Sequence, residues 1–148
     1  MSQSIEEMKA FLTETAEELN DLQSMDVMEM YRHLTDLGKA LPELSAAEKT
    51  PENFVQGCTS NVYIAASCPD GRMEFRGSSE AHIVRGYVAI LVAALSGLSP
   101  VDLLSYSQSA IEEFAETTNI RATLTPSRAN AFGNIYKLMR QKAQACAG

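Results

Sequence analysis

The stretch "HIVRGYVAILVAALSGL" (82–98) sets the tightest limit on what this chain can fold into. Ile83, Val84, Tyr87, Val88, Ile90, Leu91, Val92 and Leu95 recur at helical spacing and leave almost no polar face. A helix apolar nearly all round must be enclosed by other elements. Its most apolar part, 86–98, is 13 residues long, short of the roughly 20 that a membrane-crossing helix needs. A central core helix is therefore expected, and 148 residues suffice for one such domain rather than two. Ser78 or Ser79 is read as its N-cap, with Glu80 in the positive first turn.

The flanking sequence supplies the cover. Ile5, Met8, Phe11, Leu12, Thr15 and Leu19 predict an amphipathic helix at about 4–20, and a second runs from about Asp26 to Leu37, with Gly38 as its stop. From Val62 the apolar period shortens to two, "CPDGR" supplies a turn, and Met73 and Phe75 resume the alternation. This predicts a β-hairpin over 60–77, with a third strand at 53–56. After Pro100 a short helical turn (101–104) and a helix near 110–116 are expected. The last helix starts with Thr125 as cap and Pro126 in the first turn, and Phe132, Ile135, Tyr136 and Met139 form its core face. The fold class is α+β, a small antiparallel sheet of about three strands with helices mainly on one face.

Charge narrows the partners. Nineteen acidic and 12 basic residues leave a net charge of -7, a field that repels a phosphate backbone, so nucleic acid is not an expected partner. The basic residues after Glu116 (Arg121, Arg128, Lys137, Arg140 and Lys142) have no acidic neighbours in sequence. Three cysteines, an odd number, allow no disulfide framework. With no signal-like or membrane-spanning segment, a reducing cytoplasm is the expected location, away from the membrane.

Few residues offer chemistry. His33, Cys58, Cys68, His82 and Cys146 stand apart without metal-ligand spacing, and no phosphate-cradling or hydrolase motif occurs. Neither a metal nor another cofactor is expected. Cys58 differs from the other two cysteines in its setting. A lone cysteine is commonly a buried small hydrophobe, but Gln56, Thr59, Ser60 and Asn61 around it are polar, and Gly57 permits a tight bend before a strand. A partly accessible thiol is the reading that fits these neighbours. Cys68 opens the hairpin turn, and Cys146 lies near the end of the chain, where fraying is common.

"LGKALPEL" (37–44), "TPENFVQGCTSNVYI" (50–64), "DGRMEFRGSSEAHIVRGYVAIL" (70–91) and "LTPSRANAF" (124–132) occur in the order and spacing of the SufE family, which the chain resembles from its second helix to its last. Two local departures are Tyr63, where the family commonly has tryptophan, and "GSSEA" in place of "GDSDA". SufE proteins accept sulfur from cysteine desulfurases in iron–sulfur cluster assembly, and SufE domains share a fold with the IscU scaffold. The resemblance implies a single SufE-like domain over 1–148, its first helix extra or divergent. Cys58 would accept a persulfide from a pyridoxal-phosphate cysteine desulfurase, stimulate that enzyme, and pass the sulfur to an iron–sulfur scaffold of the SufBCD type. Arg128, in the matching "TPSR", would favour the thiolate together with the helix N-terminus. Gln56, Gly57, Thr59 and Ser60, with Glu80 and Arg85, would form the docking rim.

Other readings stay open at this stage. A CsdE-like relative would deliver sulfur elsewhere, for example to tRNA modification. A plain interaction module would dock through its acidic first helix and leave Cys58 incidental. A peroxide-reducing or redox-sensing protein would need a resolving cysteine near Cys58, and Cys68, across a strand, is poorly placed for it.

Overall fold

The computed structural model describes residues 2–58, 60–119 and 126–147, and of 126–129 the backbone alone. Helix α1 (Ile5–Met25) opens on a capping box. Ser4 Oγ accepts from the Glu7 amide at 3.1 Å, and the Ser4 amide donates to Glu7 Oε1 at 3.0 Å, which satisfies two donors that a helix start leaves without partners. The helix runs five residues past the expected end. Asp26 then caps α2 (Val27–Ala40), its Oδ1 accepting from the Met28 amide at 2.9 Å.

Strands β1 (Val62–Ser67) and β2 (Glu74–Ser79) pair antiparallel, Val62 opposite Ser79 and Ser67 opposite Glu74. The expected third strand is reduced to one bridge, Phe54 to Tyr63. The Val55 amide donates to the Val62 carbonyl at 2.9 Å, and the turn at Gln56 and Gly57 then carries the backbone away from the ladder. Helix α3 (His82–Leu95) begins later than expected. Ser78 and Ser79 finish β2, Glu80 lies in the connection, and Ser79 Oγ accepts from the Ala81 amide at 3.2 Å without capping the helix.

The two segments expected after Pro100 are one helix, α4 (Pro100–Thr117), capped by Ser99. Its serine-rich middle reads like a break, but Ser107 Oγ donates to the Leu103 carbonyl (2.6 Å) and pairs with the Tyr136 hydroxyl (2.7 Å). A buried hydroxyl with both needs met does not interrupt a helix. Helix α5 (Pro126–Ala147) starts at the expected proline; the cap assigned to Thr125 lies outside the described residues. Phe132, Ile135, Tyr136 and Met139 are buried as expected, and Cys146 is still helical rather than frayed.

The central place foreseen for α3 is what the structure has: it packs against α1, α2, α5 and β2. Val88, Leu91 and Leu95 are fully enclosed, each worth about 1.5–3 kcal/mol of burial. The hairpin's other face is closed by the 41–54 segment, through Arg76 to Glu48 (2.6 Å) and an edge-on contact of Phe54 with Tyr63. The architecture is α+β with a two-stranded antiparallel sheet. No helix among the described residues is long and apolar enough to cross a membrane.

Helices α2 and α3 meet backbone to backbone. A Cβ built on Gly86 would lie 2.2 Å from the Leu34 carbonyl oxygen, and one on Gly38 3.0 Å from the Gly86 nitrogen. Gly38 is thus a packing residue inside α2, not its stop. Arg85 rivets the crossing. Its Nε donates to the Gly38 carbonyl (2.7 Å) and Nη2 to the Leu41 carbonyl (2.6 Å), while Nη1 reaches Glu43 (2.9 Å) and Ser78 Oγ (3.0 Å). A cation on the last carbonyls of α2 also opposes the negative end of that helix. Hydrogen bonds from Ser78 and Arg85 hold the Glu43 carboxyl down at about 2.

Gly86→Ala is expected to destabilise the protein by about 3 kcal/mol or more, because backbone cannot yield as a side chain can. Gly38→Ala, with its longer contacts, should cost clearly less. Urea unfolding of the two variants ranks them; equal losses would show that the crossing is looser than these distances state.

Candidate functional site: a thiol on a glycine bend

Cys58 sits where the chain, having made its bridge to β1, turns back to enter that strand. Val55 and Val62, both completely buried, anchor the two ends of the excursion. Between them Gln56 and Gly57 are exposed, Ser60 is half-buried, and Thr59 lies outside the described residues. Gly57 has φ +83°, a left-handed conformation that costs any other L-residue energy. It is also a point of close approach, since a Cβ there would lie 2.7 Å from Asn134 Nδ2 on α5.

The Cys58 side chain is half-buried and packs against the apolar core. Burial pushes its thiol above the usual range, because a thiolate loses hydration there and the described residues supply no compensating charge. In this inward position the sulfur is a protonated, weak nucleophile. Positive charge beside the sulfur was expected from Arg128 and the start of the last helix. The element that meets the bend is α5, but at Asn134, eight residues beyond Pro126, or about 12 Å along the helix. The Arg128 side chain lies outside the described residues.

The other predicted rim residues separate into two groups. Glu80 is exposed, and its Oε1 accepts from the Asn61 amide at 3.4 Å, a long contact that ties the start of α3 to the far end of the Cys58 loop. Gln56 borders a shallow recess lined by Thr50, Pro51, Phe54 and Tyr63. Arg85 is different: its side chain is 15% exposed and all three of its guanidinium nitrogens bond within the chain. The structure gives it the work of a rivet between α2 and α3, a role that an arginine near a helix start does not announce in sequence.

Sequence reasoning passed over Asn134 and Lys142. Lys142 Nζ donates to Asn53 Oδ1 at 2.6 Å and contacts the Glu52 carbonyl at 3.5 Å. Its burial lowers its affinity for the proton, partly offset by Glu52. Both residues carry ordinary surface chemistry, and only their four-residue multiple spacing on one helix face could have linked them.

Cys68 is no resolving partner for Cys58. It lies beyond the other end of β1 against Cys146, and burial together with that neighbour pushes its thiol up. Measured along α5, from Asn134 at the Cys58 loop to Cys146 at Cys68, the two sites are about 18 Å apart, well outside disulfide reach. Among the described residues no group of three or more His, Cys, Asp or Glu side chains could hold a metal ion.

The α+β domain thus holds Cys58, half-buried, on a glycine bend between two buried anchors. The family model described as "Fe-S metabolism associated domain", SufE, matches residues 13–143, and the chain belongs to the SufE family. It is 41% identical over 120 residues to an uncharacterized SufE-like protein of Synechocystis, covering 81% of this chain and 73% of the relative. It is 35% identical over 141 residues to another from Rhizobium etli, covering 92% and 93%. A solution structure of a hypothetical protein from Thermus thermophilus shares the fold, with a TM-score of 0.62 at 16% identity over 93% of this chain and 96% of that one. Membership gives the chain a sulfur-transfer accessory role in iron–sulfur metabolism.

The bend itself is testable. Gly57→Ala should destabilise the domain by about 1–2 kcal/mol from the left-handed backbone alone, with more from the clash. Adding Asn134→Ala should recover the steric share and leave the backbone share, as read from urea midpoints. Full recovery would mean that φ at position 57 is not held positive.

Proposed function

We propose that the protein takes sulfane sulfur from a cysteine desulfurase onto Cys58 and delivers it to an iron–sulfur scaffold of the SufBCD type. The Cys58 thiolate attacks the outer sulfur of the desulfurase persulfide, the sulfur–sulfur bond breaks toward the enzyme, and the enzyme's cysteine leaves as thiolate. Cys58 then carries the persulfide. No oxidant is consumed, and unloading the enzyme's cysteine for its next cycle is what would stimulate turnover.

The observation that carries this reading is the setting of Cys58: a half-buried thiol, raised in pKa by burial, on a glycine-hinged excursion. A persulfide parked there is screened from stray thiols, and attack requires the loop to move outward on docking, a gating step. Gln56, Gly57, Thr59 and Ser60 would form the rim the desulfurase meets, with Glu80 at its edge. Arg85 supports that rim from below through β2 and α3 instead of touching the partner. Arg128, in the first turn of α5, would stabilise the outward thiolate or persulfide; that turn is where a helix offers its unpaired amides.

After incubation with a desulfurase and cysteine, intact-mass analysis should find one added sulfur, mapped to Cys58. Cys58→Ser should take up none and no longer stimulate the desulfurase. Stimulation that survives in Cys58→Ser would instead mark a docking module whose thiol is incidental. Arg128→Ala should keep the unfolding midpoint and slow sulfur uptake about tenfold, the cost of one charge-assisted contact; an unchanged rate removes Arg128 from the chemistry.

A further inference from the structure

The loop that carries Cys58 is held from outside by one face of α5. Asn134, Leu138 and Lys142 are spaced four residues apart, so they stack along a single side of that helix. At the lower end Lys142 Nζ bonds Asn53 Oδ1 (2.6 Å), and Asn53 Nδ2 in turn donates to the Glu48 carbonyl (2.8 Å). Glu48 is itself paired with Arg76 of β2. The root of the loop is therefore fixed between α5 and the sheet. At the upper end the Asn134 amide lies directly under the Gly57 bend, one residue from Cys58. Leu138, between them, packs on the core.

A half-buried lysine with a 2.6 Å bond into a loop is not a solvated surface charge. Restricting its long side chain costs entropy, and the amide acceptor it reaches belongs to the one irregular segment that leads to the thiol. We infer that the Asn134–Leu138–Lys142 face of α5 is the seat that keeps the Cys58 loop inward, Lys142 holding the root through Asn53 and Asn134 bearing the tip at Gly57. Both are positioning residues, acting on the sulfur only through the loop. The inference rests on the sulfur-carrier reading for its purpose: a partner that lifts the loop must break these contacts, so the seat sets how rarely the free protein exposes its sulfur.

The test needs neither desulfurase nor sulfur. Alkylation of each cysteine by iodoacetamide is followed by peptide mass analysis in the parent, in Lys142→Met, which keeps the aliphatic stem, in Asn134→Ala and in Lys142→Arg. Cys68, half-buried against Cys146 near the end of the same helix, reports whether α5 remains docked. Cys58 should react about fivefold faster in Lys142→Met, the rate equivalent of one ordinary hydrogen bond, and also faster in Asn134→Ala, which removes the side chain packed against Gly57, with Cys68 unchanged. Lys142→Arg, which keeps a cationic donor, should stay near the parent rate. Cys58 rates unchanged in both variants overturn the seat. So does parallel acceleration of Cys58 and Cys68, which would mean that α5 has simply come loose. A protein that shows the Cys58-specific acceleration yet never takes up sulfur retains the seat and loses the function, so the two failures are distinguishable.

Discussion

The close crossing of α2 and α3 is the contact on which the rest of the fold depends. With Gly86 against the Leu34 carbonyl and Gly38 against the Gly86 nitrogen, the two helices approach more nearly than any larger side chain allows. That approach brings the last carbonyls of α2 within reach of Arg85. The guanidinium then fixes the chain leaving α2 and, through Ser78 and Glu43, the end of β2. Once β2 is placed, β1 follows by register, and the excursion carrying Cys58 is defined by where β1 begins. A residue roughly two elements removed from the sulfur thus helps determine where it sits.

Much of this was legible in the sequence because it rests on local pattern. An all-round apolar helix has to be central, an alternating run around "CPDG" has to be a hairpin, and polar neighbours beside a glycine–cysteine pair mark an unusual thiol. What was not legible depends on contacts distant in sequence. A glycine that stops a helix and a glycine that lets two helices touch look alike, so Gly38 reads as a terminus until Gly86 is seen against it. Serine shows the same ambiguity: Ser79 finishes a strand where a cap was expected, and Ser107 continues α4 where a break was expected, because Tyr136 supplies its partner. The third strand fails for a related reason, since the bend at Gly57 that leads into Cys58 also ends its pairing.

Candidate-site residues divide along the same line. Cys58 announces itself by its immediate neighbours, whereas Asn134 and Lys142 have meaning only once α5 lies along the loop. Arg85 is the instructive opposite case. Its sequence setting fits a surface contact, and in the structure its guanidinium has four hydrogen-bond partners within the chain.

On the proposed sulfur-carrier role Cys58 has two conflicting needs, and the single position that the structure gives it meets one of them. Stored sulfur must avoid water, oxidants and other thiols, which favours burial; attack on a persulfide needs a thiolate, which burial opposes. A single fixed environment cannot serve both. The observed position, with its raised thiol pKa and α5 packed along the loop, is the one that would suit storage. Val55 and Val62, which bracket the bend, are both fully buried and joined to each other by a backbone hydrogen bond, so the proposed movement of the bend need not disturb the core.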